Sequence, residues 1–209
     1  SEIDLVNDLG IVDESFPEFR AVLRPARKHK FRIGYVPIKY EAESTLRRDV
    51  IFNGIVFPVA IPVRSTLDWK AWRFGYEYDF IYRDRGFLGV VLEAKYTDVT
   101  AQLENPLTVE FTSAKAPIPA IGLIGRGYIF PNVSITGEFT GFKLPGDIAD
   151  LDEDDTGSYY DFDVYGTLNF TDNVGVLAGY RRLAVEYRID DDYGDFELKG
   201  FYVQGVVRF

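Results

Sequence analysis

The chain has 209 residues with no Cys, no Met and one His, which excludes a disulfide framework, a thiolate or multi-histidine metal centre and a cysteine nucleophile. Its 23 Lys+Arg against 33 Asp+Glu leave a net charge of −10, the wrong sign for a nucleic-acid partner. Aromatic residues make up 16%, an excess that favours strands, where flat rings pack well on a pleated surface. No apolar run is long enough for a spanning helix. The sequence starts at Ser1 without a leader, the expectation for a processed, exported chain or for a trimmed one.

In chain order, alternation of apolar and polar residues marks strands along almost the whole sequence. A short one is expected at Phe16–Leu23 and a longer one at Phe31–Ala42. Residues 43–65 then form a long connection. Within it, Asn53-Gly54 between Val50-Ile51-Phe52 and Ile55-Val56-Phe57 reads as a hairpin. Exposed apolar residues there make loop 43–65 a candidate contact surface for a protein partner. The clearest strand is Asp68–Arg83, which places Trp72, Phe74, Tyr76, Tyr78, Phe80 and Tyr82 on one face and Arg73, Gly75, Glu77 and Asp79 on the other. Leu88–Thr97 repeats the split, with Val90 and Leu92 against Glu93 and Lys95. Pro117–Ile129 carries Arg126 and Val133–Leu144 carries Glu138. In Tyr160–Phe170, Phe162 and Val164 oppose Asp161 and Asp163. Val174–Ile189, with Arg181, and Glu197–Phe209 complete the set. No segment has a helical period of useful length, so the fold class is all-β.

Three hairpin loops, 84–86, 130–132 and 171–173, contain or end in Gly or Asn, which tolerate the left-handed position such turns require. The connections at the opposite end are longer: 43–65, 103–116, 145–157 and a shorter acidic one near 190–195. Short turns at one end and long loops at the other is the asymmetry of an outer-membrane barrel. A single strand carrying six large rings would overfill a small soluble barrel, whose interior barely holds its side chains. The rings are therefore assigned to lipid. Trp72, Phe74, Tyr76, Tyr78, Phe80, Tyr82, Val90, Leu92, Phe162 and Val164 form that outer face. The lumen receives Arg73, Glu77, Glu93, Lys95, Arg126, Glu138, Asp163 and Arg181. Loop lengths set the register: Asp163 opposes Arg181, Glu77 opposes Glu93 with Lys95 diagonal to it, and Arg126 is diagonal to Glu138. A polar plug is favoured over a narrow gated path, because so small an interior has little spare volume.

The chain ends Phe201-Tyr202-Val203-Gln204-Gly205-Val206-Val207-Arg208-Phe209. Phe201, Val203, Val207 and Phe209 alternate toward a terminal aromatic. This resembles the C-terminal signature of Gram-negative outer-membrane β-barrel proteins, in which a terminal Phe closes the last strand. The resemblance implies a bacterial outer-membrane location, contact with its lipid and lipopolysaccharide, and the barrel-assembly machinery as a partner. The expected fold is one domain over 1–209, a single antiparallel up-and-down transmembrane β-barrel of eight to ten strands. Ten is favoured, since nine segments are legible, bacterial barrels have even numbers, and Ser1–Val12 is free to supply another.

Enzymes among such small barrels, as the resemblance implies, use His with Ser, Asp or Glu on acyl chains or peptides. Here the one His, His29, lies in the basic turn Arg24-Pro25-Ala26-Arg27-Lys28-His29-Lys30, with no nucleophile and carboxylate near it in sequence. No catalytic residue and no cofactor is expected. Asp150, Asp152 and Asp154 resemble the start of a Ca²⁺ loop, but Asp155 stands where the sharp turn needs Gly. They remain metal candidates beside the plainer reading of a solvated loop. The expected function is a non-enzymatic outer-membrane barrel with a structural, adhesive or complex-forming role, with or without a narrow pore. A lipid-modifying enzyme and a soluble ligand-binding barrel are the alternatives.

Overall fold

A computed structural model describes residue 9 and residues 16–52, 54–143, 156–189 and 192–207. The described strands are β1 (Phe19–Ala26), β2 (His29–Thr45), β3 (Val50–Phe52), β4 (Ile55–Phe57), β5 (Pro62–Arg83), β6 (Gly86–Glu104), β7 (Val109–Phe130), β8 (Val133–Lys143), β9 (Thr156–Asn169), β10 (Val174–Ile189) and β11 (Asp192–Val207). Nine of them form one sheet in the order β1-β2-β5-β6-β7-β8-β9-β10-β11, and β3 pairs with β4 as a separate hairpin. Strands adjacent in the sheet follow one another in the chain, apart from that inserted hairpin. The all-β, antiparallel expectation holds.

The nine segments legible in the sequence correspond to the nine strands of the described sheet. The tenth, expected in Ser1–Val12, lies outside the described residues, Leu9 apart. The strands are also longer than the sequence suggests, with 22 residues in β5, 22 in β7 and 19 in β6. The expected connection 103–116 shrinks to 105–108, closed by mutual backbone hydrogen bonds between Asn105 and Thr108. Ladder pairing needs only backbone groups, so it continues where side-chain alternation fades and the sequence signal with it.

Short turns hold the expected register. β9 and β10 pair with Arg181 opposite Asp163. β7 and β8 pair with Arg126 opposite Thr136, leaving Glu138 diagonal, and a bulge between Tyr128 and Phe130 then shifts the register.

The chain divides into two compact units. Unit 1 comprises Ser1–Ala21, Ile33–Arg73 and Lys95–Ile118; unit 2 comprises Val22–Arg32, Phe74–Ala94 and Pro119–Phe209. Unit 1 contains an apolar core of Leu9, Leu46, Val50, Phe57, Val63 and Leu103, flanked by Tyr40, Ala42, Phe52 and Ile55. The β3–β4 hairpin supplies much of it. Its turn uses Gly54 at φ +79°, a left-handed position that a side chain would strain. Its strands turn Val50 and Phe57 inward and leave Ile51 and Val56 exposed, so part of the apolar surface expected on loop 43–65 is spent within unit 1. Asp49 caps the return by accepting from Val59 N–H at 2.7 Å.

Unit 2 reverses the usual distribution. Successive residues on β9 make the point: Phe162 is 46% exposed and Asp163 only 2%. The same unit curls. Arg32 on β2 and Glu138 on β8 are four places apart in the strand order, about 19 Å along a flat sheet. Yet the guanidinium lies 2.6 Å from the carboxylate, so the face carrying the charges is concave.

Candidate functional site: a buried charge network

Every charged residue on the concave face of unit 2 stands at an alternate strand position whose neighbours point outward. On β2, Lys30 and Arg32 are flanked by exposed Phe31 and Ile33; on β5, Glu77 and Asp79 alternate with Tyr76, Tyr78 and Phe80. The pleat therefore delivers the charges together.

Lys30 pairs with Glu77 and lies 3.0 Å from Asp79, with its ammonium 3.5 Å from the Phe87 ring centre. Arg32 bridges two strands, with Glu138 at 2.6 Å and Glu77 at 3.7 Å. Arg181 donates through Nε and Nη2 to both oxygens of Asp161, at 2.9 and 2.7 Å, a fork geometry that fixes both side chains. Tyr159 donates to the same carboxylate at 3.1 Å. Asp163 accepts from the Tyr202 hydroxyl at 2.7 Å. Arg126 is held by hydroxyls, donating from Nε to Thr136 at 2.8 Å and from Nη2 to Tyr165 at 3.4 Å.

The contacts keep the expected register and extend it. Arg181 stands opposite Asp163 and forks onto Asp161, one row along the same face. Glu138 sits across from Asp163 on its other side, and Tyr202 on β11 donates to that carboxylate. Asp161 faces Thr140 on β8. Lys30, Arg32, Asp79, Asp161 and Tyr202 are members that the sequence reading left out. Their signal was present: each occupies the polar parity of a strand whose other parity is apolar.

Among the other sequence candidates, Glu77, Glu93 and Glu138 are buried in unit 2, and Arg73 and Lys95 are buried in unit 1. Trp72, Phe74, Phe80, Tyr82, Leu92, Phe162 and Val164 are exposed, and Tyr76, Tyr78 and Val90 are half-exposed. Phe201, Val203 and Val207 are exposed on β11, while Phe209 lies outside the described residues. So do Asp150, Asp152 and Asp154. His29 is engaged through Nδ1 with the Tyr76 hydroxyl at 2.6 Å and packs against Tyr78, ring centres 5.2 Å apart. That pairing joins it to the aromatic face rather than to the charge network.

Chemically the network is largely paired, with Lys30, Arg32 and Arg181 on carboxylates and Arg126 on hydroxyls. Charges removed from water are tolerable only when paired and hydrogen-bonded, and each cation named above has a carboxylate or hydroxyl partner. Such an arrangement braces the strands it joins. No known family model matches the chain, and no curated protein is detectably related to it.

Proposed function

We propose that this chain is a non-enzymatic β-barrel protein of a bacterial outer membrane, with its convex aromatic face in lipid and its concave charged face closed as a polar plug. The observation that carries the reading is the inverted burial in unit 2. In water, a sheet that exposes Phe139, Phe162 and Leu92 while burying Glu138, Asp163 and Glu93 would be the wrong way round. In lipid it is the expected one. Aromatic pairs across neighbouring strands reinforce the outer face, with Phe139–Tyr160 and Tyr180–Phe201 ring centres 6.2 and 5.1 Å apart. The exposed cluster Arg182–Glu197–Lys199 marks one limit of the apolar band, since Arg182 stands beside Phe162. The midplane then falls nearer the row of Val164, Tyr180 and Phe201.

The charge pairs favour a scaffold over a conduit. A structural, adhesive or complex-forming role suits a braced wall, with lipid, lipopolysaccharide and the barrel-assembly machinery as its surroundings. The chain's two tryptophans provide the test, because Trp69 faces inward at 6% exposure and Trp72 outward at 38%. In vesicles containing brominated lipid, a Trp69→Phe variant should lose most of its fluorescence and a Trp72→Phe variant little. Equal, weak quenching in both, with a chain that stays dissolved without detergent, would refute membrane insertion. In planar bilayers the wild type should give no discrete channels.

A further inference from the structure

A cavity of about 620 Å³ opens among the short turns of unit 2, where β5 meets β6 and β7 meets β8. In a chain of net charge −10 its lining is basic: Arg24, Lys30, Arg83, Arg85 and Arg126, with Asp84 the one acid among the described lining residues. We infer that this cavity is a binding site for a phosphate group, with Arg126 at its floor and Arg83 and Arg85 at its rim.

The cations are not equivalent. Lys30 is already neutralised by Glu77 and Asp79. Arg24 donates to the carbonyl of Arg27 at 2.7 Å and lies over the Tyr82 ring. Arg126 is different, since Thr136 and Tyr165 give its guanidinium hydrogen bonds but no negative charge. Arg83 and Arg85 are exposed and make no side-chain ion pair or hydrogen bond among the described residues. Beside Arg24, which is held by a carbonyl and a ring, three further guanidinium groups without a carboxylate thus line one cavity. A partly buried cation lacking a counter-charge is costly, and an anion drawn from solution removes the cost.

The chemistry narrows the anion. Each guanidinium presents a planar fork that matches a carboxylate or a phosphate. Three forks around one centre suit a tetrahedral oxyanion, whose several oxygens can each accept, better than the two oxygens of a carboxylate. The volume exceeds that of a bare ion and falls in the range of pockets for small organic ligands, roughly 300–1,000 Å³. Phe87, Ile129 and Phe130 add apolar lining beside the charges. The phosphate is therefore one part of a larger group, either an amphiphile's head or a soluble phosphate ester. Gly86 shapes the lining: its φ is +154°, and a Cβ there would stand 2.2 Å from the Arg126 carbonyl oxygen. Only glycine lets the β5–β6 turn approach β7 so closely. None of this depends on membrane insertion, because the cavity and its charges lie wholly within unit 2.

The test uses the full chain folded in a zwitterionic detergent at low ionic strength. Inorganic phosphate and a short-chain, micelle-free phosphatidylglycerol are titrated separately by calorimetry. The wild type should bind at least one of them saturably at one site. The double variant Arg83→Gln/Arg85→Gln changes only exposed side chains and should weaken binding about tenfold or more, the scale of losing charge-assisted hydrogen bonds. Arg126→Gln should abolish it if the variant folds, and Arg64→Gln, at an exposed position of unit 1, should leave it unchanged. Tighter binding of the lipid, competed by phosphate, identifies an amphiphile headgroup; phosphate binding that the lipid does not exceed identifies a soluble ester. Absence of saturable binding to both probes, or equal binding by the double variant, overturns the site.

Discussion

The two units fill their interiors differently. Unit 1 gathers Leu46, Val50, Phe57, Val63 and Leu103 around a hairpin and also buries Arg73 and Lys95. Unit 2 gathers Lys30, Arg32, Glu77, Glu138, Asp161 and Arg181 and turns its rings outward. An apolar core gains stability from each ring removed from water and tolerates no missing volume. A charge network gains little net stability and depends on every partner being present. The contrast teaches that burial and hydrophobicity are separable.

The sharpest way to break the comparison is Arg32→Ala, which leaves Glu138 and Glu77, both with side chains 3% exposed, without their shared cation. Unfolding from vesicles in urea should show a loss of about 3–5 kcal/mol. Restoration of most of it by the double variant Arg32→Met/Glu138→Leu would separate a stranded charge from lost packing. In unit 1 the equivalent blow is Phe57→Ala, which opens a void in an apolar core and should cost about 3–5 kcal/mol. Its signature differs, because increasing salt should leave the loss unchanged and added bulk at neighbouring Val50 or Leu103 should recover part of it. Less costly is Val164→Arg on the outer face of unit 2. A loss of about 2–4 kcal/mol in vesicles is expected at the midplane. No loss at all would place that face in water. The smallest effect belongs to the exposed Arg64–Glu43 pair of unit 1, where Nη2 lies 2.5 Å from the carboxylate. Arg64→Gln should leave the unfolding midpoint unchanged within error, since exposed pairs are hydrated and screened.

The parity of the strands was readable without coordinates. Six rings at even positions of 72–82 and charges at odd ones leave no doubt which residues share a face, because side chains on a strand alternate strictly. Turn length then set the β9–β10 register, and Arg181 does stand opposite Asp163. Parity cannot say which of two same-face acids an arginine will choose. Asp161 and Asp163 have identical sequence credentials, and the fork of Arg181 onto Asp161 and the Tyr202 hydroxyl on Asp163 are visible only in the fold. Long-range partners of this kind carry no local signal.

By itself, then, the sequence determined the strands, their two faces and the pairing across short turns, since all of these follow from local periodicity and backbone reach. Tertiary structure alone decided the rest. Curling brought Arg32 to Glu138 across three intervening strands, and folding the 50–57 hairpin back on Leu46 made an apolar core from a segment that reads as exposed. The meeting of two turns gathered Arg83, Arg85 and Arg126 around one cavity. Each depends on contacts between residues distant in the chain, whose closeness is set by curvature and packing rather than by spacing along the sequence.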